Sequence, residues 1–143
     1  MGKFFDLKFL HRKLRKIGAC LIQICKVIPR GVVCFFQSKS SLKKSLEAWK
    51  SGNSQIFANL QAIKQIFIEG ENSMNDYTNF LSNCDQNQPS KGAILLAVCN
   101  GSLSEGINFK DDLARAIIII GLPFPDFNDQ IKNKIYERHV GNF

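Results

Sequence analysis

The chain has 143 residues, enough for one domain with a buried core, and its 45% hydrophobic and 22% charged content is ordinary globular usage, which excludes a disordered or low-complexity chain. The net charge of +7 is unevenly placed: residues 1–50 hold twelve Lys/Arg against Asp6 and Glu47, a net of +10, and the other 93 hold seven against ten acids, a net of −3. A one-sided basic field favours a polyanion such as nucleic acid, or an acidic membrane surface, although a solvated helix face gives the same count.

"MGKFFD" opens like a myristoylation site but has Asp6 where Ser or Thr is required. Leu7, Leu10, Leu14, Ile17, Leu21 and Ile24 then recur at steps of three and four, which predicts a helix that buries one face, against a sheet rather than a coiled-coil partner. Lys8, Arg12, Arg15 and Lys16 fall largely off that face. "IGACLIQICKVI" resembles a signal-peptide core but is interrupted by Gln23 and Lys26, and no apolar stretch is long enough to span a bilayer. The expectation is a soluble intracellular protein without a membrane partner. The helix should end near "VIPRG", because Pro29 biases Ile28 away from helix.

"GVVCFF" (31–36) predicts a strand. Ser40 or Ser41 should cap a helix carrying Leu42, Leu46 and Trp49 and ending at Gly52. "QIFIE" (65–69) is the next strand. "SMNDYTNFLSNCD" carries a Ser-x-x-Asp capping signal before a helix with Tyr77, Phe80, Leu81 and Cys84 on one side. "AILLAVC" (93–99) and "RAIIIIG" (115–121) are apolar without alternation, as strands covered on both faces are. A last polar helix is expected over 126–139. The alternation argues for an α/β fold with a mainly parallel sheet. The odd count of five cysteines suits a reducing compartment, and neither they nor His11 and His139 show metal-ligand spacing.

"NGSLSEGINF" (100–109) follows directly on "AILLAVC". In open parallel sheets, ligands bind beyond the carboxyl ends of the strands. Gly101 and Gly106 allow backbone amides to approach a ligand closely. Ser102 and Ser104 can bond phosphate oxygens, and Glu105 and Asn108 can hold hydroxyls or orient a basic group. A surface loop rich in turn formers reads the same way.

The order of these residues is more specific. "GSLSEGINF", followed by "DDLARAIIIIGLPFP", resembles motif V of the XPD-like, iron–sulfur superfamily 2 DNA helicases, nearest the ChlR/chromosome-loss branch. "IPRGVVCFFQS" resembles the family's motif IV, "SLKKSLEAWK" the helix after it, and "QIFIEGENSMNDYTNFL" the next strand and helix. The resemblance covers about residues 5–126. Ser102 stands where the family has Lys, and Arg30, Gln37, Lys39 and Ala114 also depart from its pattern.

The resemblance implies a RecA-like three-layer domain: residues 1–143 as a partial second motor domain, incomplete at its C-terminus. It implies that ATP and Mg bind between two such domains while single-stranded or forked DNA crosses both, and that the protein works in DNA repair in the nucleus. Carried over by position, Gly101, Glu105, Gly106 and Asn108 would serve ATP binding and its coupling to DNA, with Asn108 at the ribose. Ser38, Ser102 and Ser104 would contact DNA or phosphate. The sequence has no G-x-x-x-x-G-K-[ST] loop, no Asp-Glu-x-His box and no Gln-x-x-Gly-Arg-x-x-Arg string. Phosphoryl transfer needs phosphate cradle, metal and arginine finger together, so this chain alone is expected to be inactive. The iron–sulfur cluster is expected only in the first motor domain. Three functions are thus in play: part of an ATP-dependent DNA helicase, a non-catalytic nucleic-acid-binding module derived from one, or an unrelated small-molecule enzyme using the glycine loop.

Overall fold

Apolar residues at helical spacing and four apolar runs between them organise the chain as the sequence leads one to expect. The computed structural model describes residues 7–84, 92–99 and 113–121. Helix α1 (Leu7–Val27) leads into strand β1 (Gly31–Phe36) and helix α2 (Lys39–Lys50). Helix α3 (Ile56–Ile63) and strand β2 (Gln65–Ile68) follow, then helix α4 (Ser73–Asn83), strand β3 (Ala93–Val98) and strand β4 (Ala116–Ile120). The four strands form one sheet in the order β2-β3-β1-β4, and every pairing is parallel. The expected α/β class and parallel sheet are therefore present. The expected helix over 126–139 lies outside the described residues.

Side chains alternate across the sheet, so β1 and β3 each feed two cores. Val32, Cys34 and Phe36 of β1 and Ile94, Leu96 and Val98 of β3 join Leu14, Leu21, Leu42, Trp49 and Leu60 on one face. Val33, Ala93, Leu95 and Ala97 meet Tyr77 and Leu81 of α4 on the other. All six residues of β3 are buried, as its unbroken apolar run requires. Each fully buried Leu or Ile there contributes about 2 kcal/mol. Strand β4 departs from the expectation of two covered faces. Ala116, Ile118 and Ile120 turn to the first core, but Ile117 and Ile119 are 55% and 56% exposed.

Helix α1 contributes Leu14, Leu21, Ile22 and Cys25 to the core on that first face of the sheet, as expected, and it also lies against α2 and α3. Gly18 makes that approach possible. A Cβ on it would sit 2.6 Å from Ile56 Cγ2 and 2.7 Å from Trp49 Nε1. The Trp49 indole N–H donates to the Leu14 carbonyl at 2.7 Å, tying α2 to α1 inside the core. Helix α3 was not anticipated from the sequence, although Ile56, Leu60 and Ile63 carry a four-three spacing and Leu60 is fully buried.

Helix starts also differ from expectation. Ser38, not Ser40 or Ser41, caps α2. The cap of α4 is Asn72 at φ 62°, in the left-handed region that Asn tolerates, and no side chain bonds the first amides. Ser73 instead closes the preceding turn, its Oγ accepting from the Gly70 N–H at 3.1 Å and donating to the Gly70 carbonyl at 2.9 Å.

The amino ends of three strands meet at Arg30, itself at φ 65°. Its carbonyl accepts from the Ala93 N–H at 3.1 Å and from Lys64 Nζ at 2.8 Å. Lys64 is 2% exposed, and burial lowers its pKa from the ordinary lysine value, opposed by the nearby Cys25 and Cys84. All five cysteines are free. Burial pushes the Cys25 thiol up to about 11, the charge on Lys64 opposing it, and raises Cys34 further. These two are inert core thiols rather than nucleophiles.

Candidate nucleic-acid and nucleotide site

Parallel pairing brings the carboxyl ends of the strands to one edge. Phe36 of β1 is level with Val98 of β3 on one side and with Ile120 of β4 on the other. The Cys99 N–H donates to the Phe36 carbonyl at 2.7 Å, so the segment leaving β3 starts against the segment leaving β1. Gly121, at φ 75°, closes β4 beside Gln37: a Cβ on it would sit 3.4 Å from Gln37 Oε1.

Ser38 lies two residues beyond the end of β1 and is exposed. Its backbone is extended (φ −154°, ψ 165°), its Oγ accepts from the Ser41 N–H at 3.0 Å, and its carbonyl accepts from the Leu42 N–H at 3.0 Å. A hydroxyl that accepts a cap bond still has its own hydrogen to donate, for which a phosphate oxygen is a fitting acceptor. The first turn of α2 adds free backbone amides and the positive end of the helix dipole at the same edge. Lys39, in that turn, is exposed. Replacing the cap tests its local role: Ser38→Ala is expected to cost about 1 kcal/mol of stability and Ser38→Gly only a few tenths. Equal urea midpoints for the wild type and Ser38→Ala would show that the cap bond does not stabilise α2.

Gly101, Ser102, Ser104, Glu105, Gly106 and Asn108 lie outside the described residues. What the structure establishes is where their segment is attached: Cys99, at a strand end beside Ser38's own. Glu69, which sequence reasoning passed over, belongs to this edge as well. Its Oε2 accepts from the Val98 N–H at 2.9 Å, and its own N–H donates to the Leu96 carbonyl at 2.8 Å. No sequence signal marks it, because the contact depends on how β2 pairs with β3.

The basic half divides between two helices. Arg12, Lys13 and Lys16 of α1 and Lys39, Lys43, Lys44 and Lys50 of α2 are exposed. Lys50 lies 4.3 Å from the centroid of the Phe57 ring, so its charge also serves packing. On the far face, the Tyr77 hydroxyl donates to the Leu113 carbonyl just before β4, and burial pushes its pKa up. Among the described residues, no group of three His, Cys, Asp or Glu side chains is placed to hold a metal ion. The cysteines do not fit an iron–sulfur cluster, since Cys25 and Cys34 are closed into the core while Cys20 is exposed on α1. No helix of the described residues is long and apolar enough to cross a membrane.

Residues 21–141 match the family model described as the helicase C-terminal domain. The chain belongs to that family. The match takes in the Ser38 edge, all four strands and the segment that leaves Cys99. Among similar proteins, the ATP-dependent DNA helicase CHL1 of Coccidioides immitis is 38% identical, over 96% of this chain and 18% of its own length. The ATP-dependent DNA helicase DDX11 of Homo sapiens is 35% identical over 85% of this chain and 13% of its own length. The regulator of telomere elongation helicase 1 homolog of Aedes aegypti is 37% identical over 81% and 12%. The chain thus spans less than a fifth of the length of these relatives. In the helicase C-terminal domain family, the resemblance drawn from "GSLSEGINF" and "IPRGVVCFFQS" has its expected home, and the parallel sheet is the one that resemblance implied.

Proposed function

We propose that residues 1–143 are a partial second motor domain of an ATP-dependent DNA helicase, contributing motif IV and motif V to a site shared by ATP and single-stranded or forked DNA. The observation that carries the reading is the level edge at Phe36, Val98 and Ile120. A capped helix start and the attachment point of the "GSLSEGINF" segment share that edge. Ser38, Ser102 and Ser104 contact DNA or phosphate through hydroxyl and backbone groups. Asn108 faces the ribose, Glu105 couples the nucleotide to the DNA, and Gly101 and Gly106 let backbone approach the ligand. ATP with its Mg ion lies against a first motor domain, whose phosphate loop and acidic box supply groups that this sequence does not contain. A nuclear role in DNA repair follows from the same reading. The relatives named as ATP-dependent DNA helicases support the helicase reading, and the basic charge of residues 1–50 supports its DNA side.

Fluorescence anisotropy on a labelled single-stranded oligonucleotide, run beside a phosphate-release assay, tests the proposal. The purified chain is expected to bind weakly at low salt and to release no phosphate from ATP. Raising salt from about 50 to 200 mM should remove most of the binding, because each neutralised phosphate releases counterions on association. DNA-stimulated ATP turnover by this chain alone, or no binding at low salt, would overturn it.

A further inference from the structure

Helix α1 carries six Lys or Arg and no acid, and α2 carries four Lys against one acid, Glu47. Lys39, Lys43 and Lys50 recur at steps of four and seven, which places them in one stripe along α2, and Lys44 flanks it. All four are exposed. The stripe starts beside Ser38, at the level edge of the sheet, and α2 carries it about 18 Å away from that edge. Near its far end Trp49 is fastened to the Leu14 carbonyl. The last turn of α2 therefore lies against the turn of α1 that holds Arg12 and Lys16, both exposed. Lys50, over the Phe57 ring, is held at that junction. The charges of the two helices thus follow one path, from the strand ends along α2 to α1.

A basic amphipathic helix such as α1 can lie on a membrane with its apolar stripe in the lipid. Here that stripe is spent, because Leu14, Leu21, Ile22 and Cys25 are buried in the core. What α1 offers outward is charge, which suits a row of phosphates and not an acyl layer.

We propose that the outward sides of α1 and α2 form a second nucleic-acid contact, a phosphate-tracking surface along which a single strand continues after it leaves the strand ends at Ser38. This rests on the reading of that edge as a DNA site. Ammonium and guanidinium groups meet the backbone and not the bases, so the surface adds affinity and direction without sequence preference.

The salt dependence of binding tests it, because its slope counts the phosphates neutralised. The assay uses a labelled single-stranded oligonucleotide and the 143-residue chain. One variant combines Lys43→Gln with Lys44→Gln, and another combines Arg12→Gln with Lys16→Gln. Each is expected to bind about tenfold more weakly at low salt and to flatten the slope by about 1.4, at about 0.7 for each phosphate no longer neutralised. Lys43→Arg with Lys44→Arg should keep the wild-type slope. Lys26→Gln controls for net charge. It removes an exposed cation about 15 Å along α1 from Lys16, beyond a Debye length of about 10 Å, and should leave the slope unchanged. If the wild type binds and both double variants match its affinity and slope, the tracking surface is wrong and the strand-end DNA reading stands. If Lys26→Gln flattens the slope as much per charge as the double variants do, net charge and not a path holds the strand, and the proposal falls. Retention on phosphatidylserine vesicles without binding to the oligonucleotide overturns it in favour of a membrane partner. If the wild type binds neither, the DNA reading fails and the surface fails with it.

Discussion

Trp49→Ala is expected to lower the stability of the domain by about 3–5 kcal/mol, the range for deleting a large buried aromatic. Trp49 is fully buried and sits where three elements converge. Its ring lies 6.0 Å from that of Phe36 at 57°, so it covers the sheet at the end of β1. The indole N–H meets the Leu14 carbonyl, and its edge fills the space that Gly18 leaves open. Alanine there opens a cavity between α1, α2 and β1 and also removes the indole donor from the Leu14 carbonyl. For a chain of this length the thermal midpoint should fall by about 10 °C or more. Trp49→Phe separates the two losses, keeping most of the ring and giving up only the hydrogen bond, for about 1 kcal/mol. Because Trp49 is the single tryptophan, its fluorescence reports wild-type unfolding directly, and circular dichroism serves the variants. A Trp49→Ala midpoint within 2 °C or so of the wild type would contradict the packing described, given the usual dependence of midpoint on stability.

Gly92→Ala should be as damaging through a single methyl group. A Cβ at position 92 would fall inside the contact radius of the Arg30 carbonyl oxygen and 2.6 Å from both the Arg30 carbonyl carbon and Lys64 Nζ. The lysine tip can swing aside, but the carbonyl is backbone. It already accepts from Ala93 and Lys64, while the Gly92 carbonyl accepts from the Gln65 N–H at 3.1 Å. Relieving the clash pulls apart the amino ends of β1, β2 and β3 together, and a buried ammonium loses its acceptor. The expected loss is about 3 kcal/mol, at the upper end of the range for overpacking. Gly70→Ala is the control. Its Cβ meets nothing nearer than the Ile68 carbonyl at 3.8 Å, so its effect should stay within about 1 kcal/mol. Equal urea midpoints for the two variants would refute the close approach.

The four strands were legible because each is a short β-branched or aliphatic run bounded by turn residues, and β3 has no polar position to confuse it. β4 misled for the same reason: five apolar residues read alike whether one face is covered or two. The cap of α2 was ambiguous because Ser38, Ser40 and Ser41 are all good caps, and only the end of β1 at Phe36 selects the first. Helix α3 was hidden by its eight-residue length and by the Gly-Asn-Ser turn before it, though Ile56, Leu60 and Ile63 carried its period. That the strand ends come level at one edge was legible in the unbroken apolar runs, and Ser38 at the end of β1 lies on it, while the "GSLSEGINF" residues fall outside the described residues. Glu69 was not legible, because nothing in a sequence shows which amide a strand's last side chain will meet across a crossover.

The strand order has a consequence for how the sheet is made. β1 and β2 are neighbours in sequence but never pair; β3 stands between them. During synthesis, residues 31–68 can leave the ribosome with two apolar strands and no sheet to join, because the strand that bridges them is not yet made. Closure of the sheet waits for residues 93–98, and the far edge for 116–120. Pairings at such separations are slow to form and leave strand edges open meanwhile. The helices around β1 and β2, joined through Trp49, give the early chain a nucleus of local contacts on which the late central strand can close.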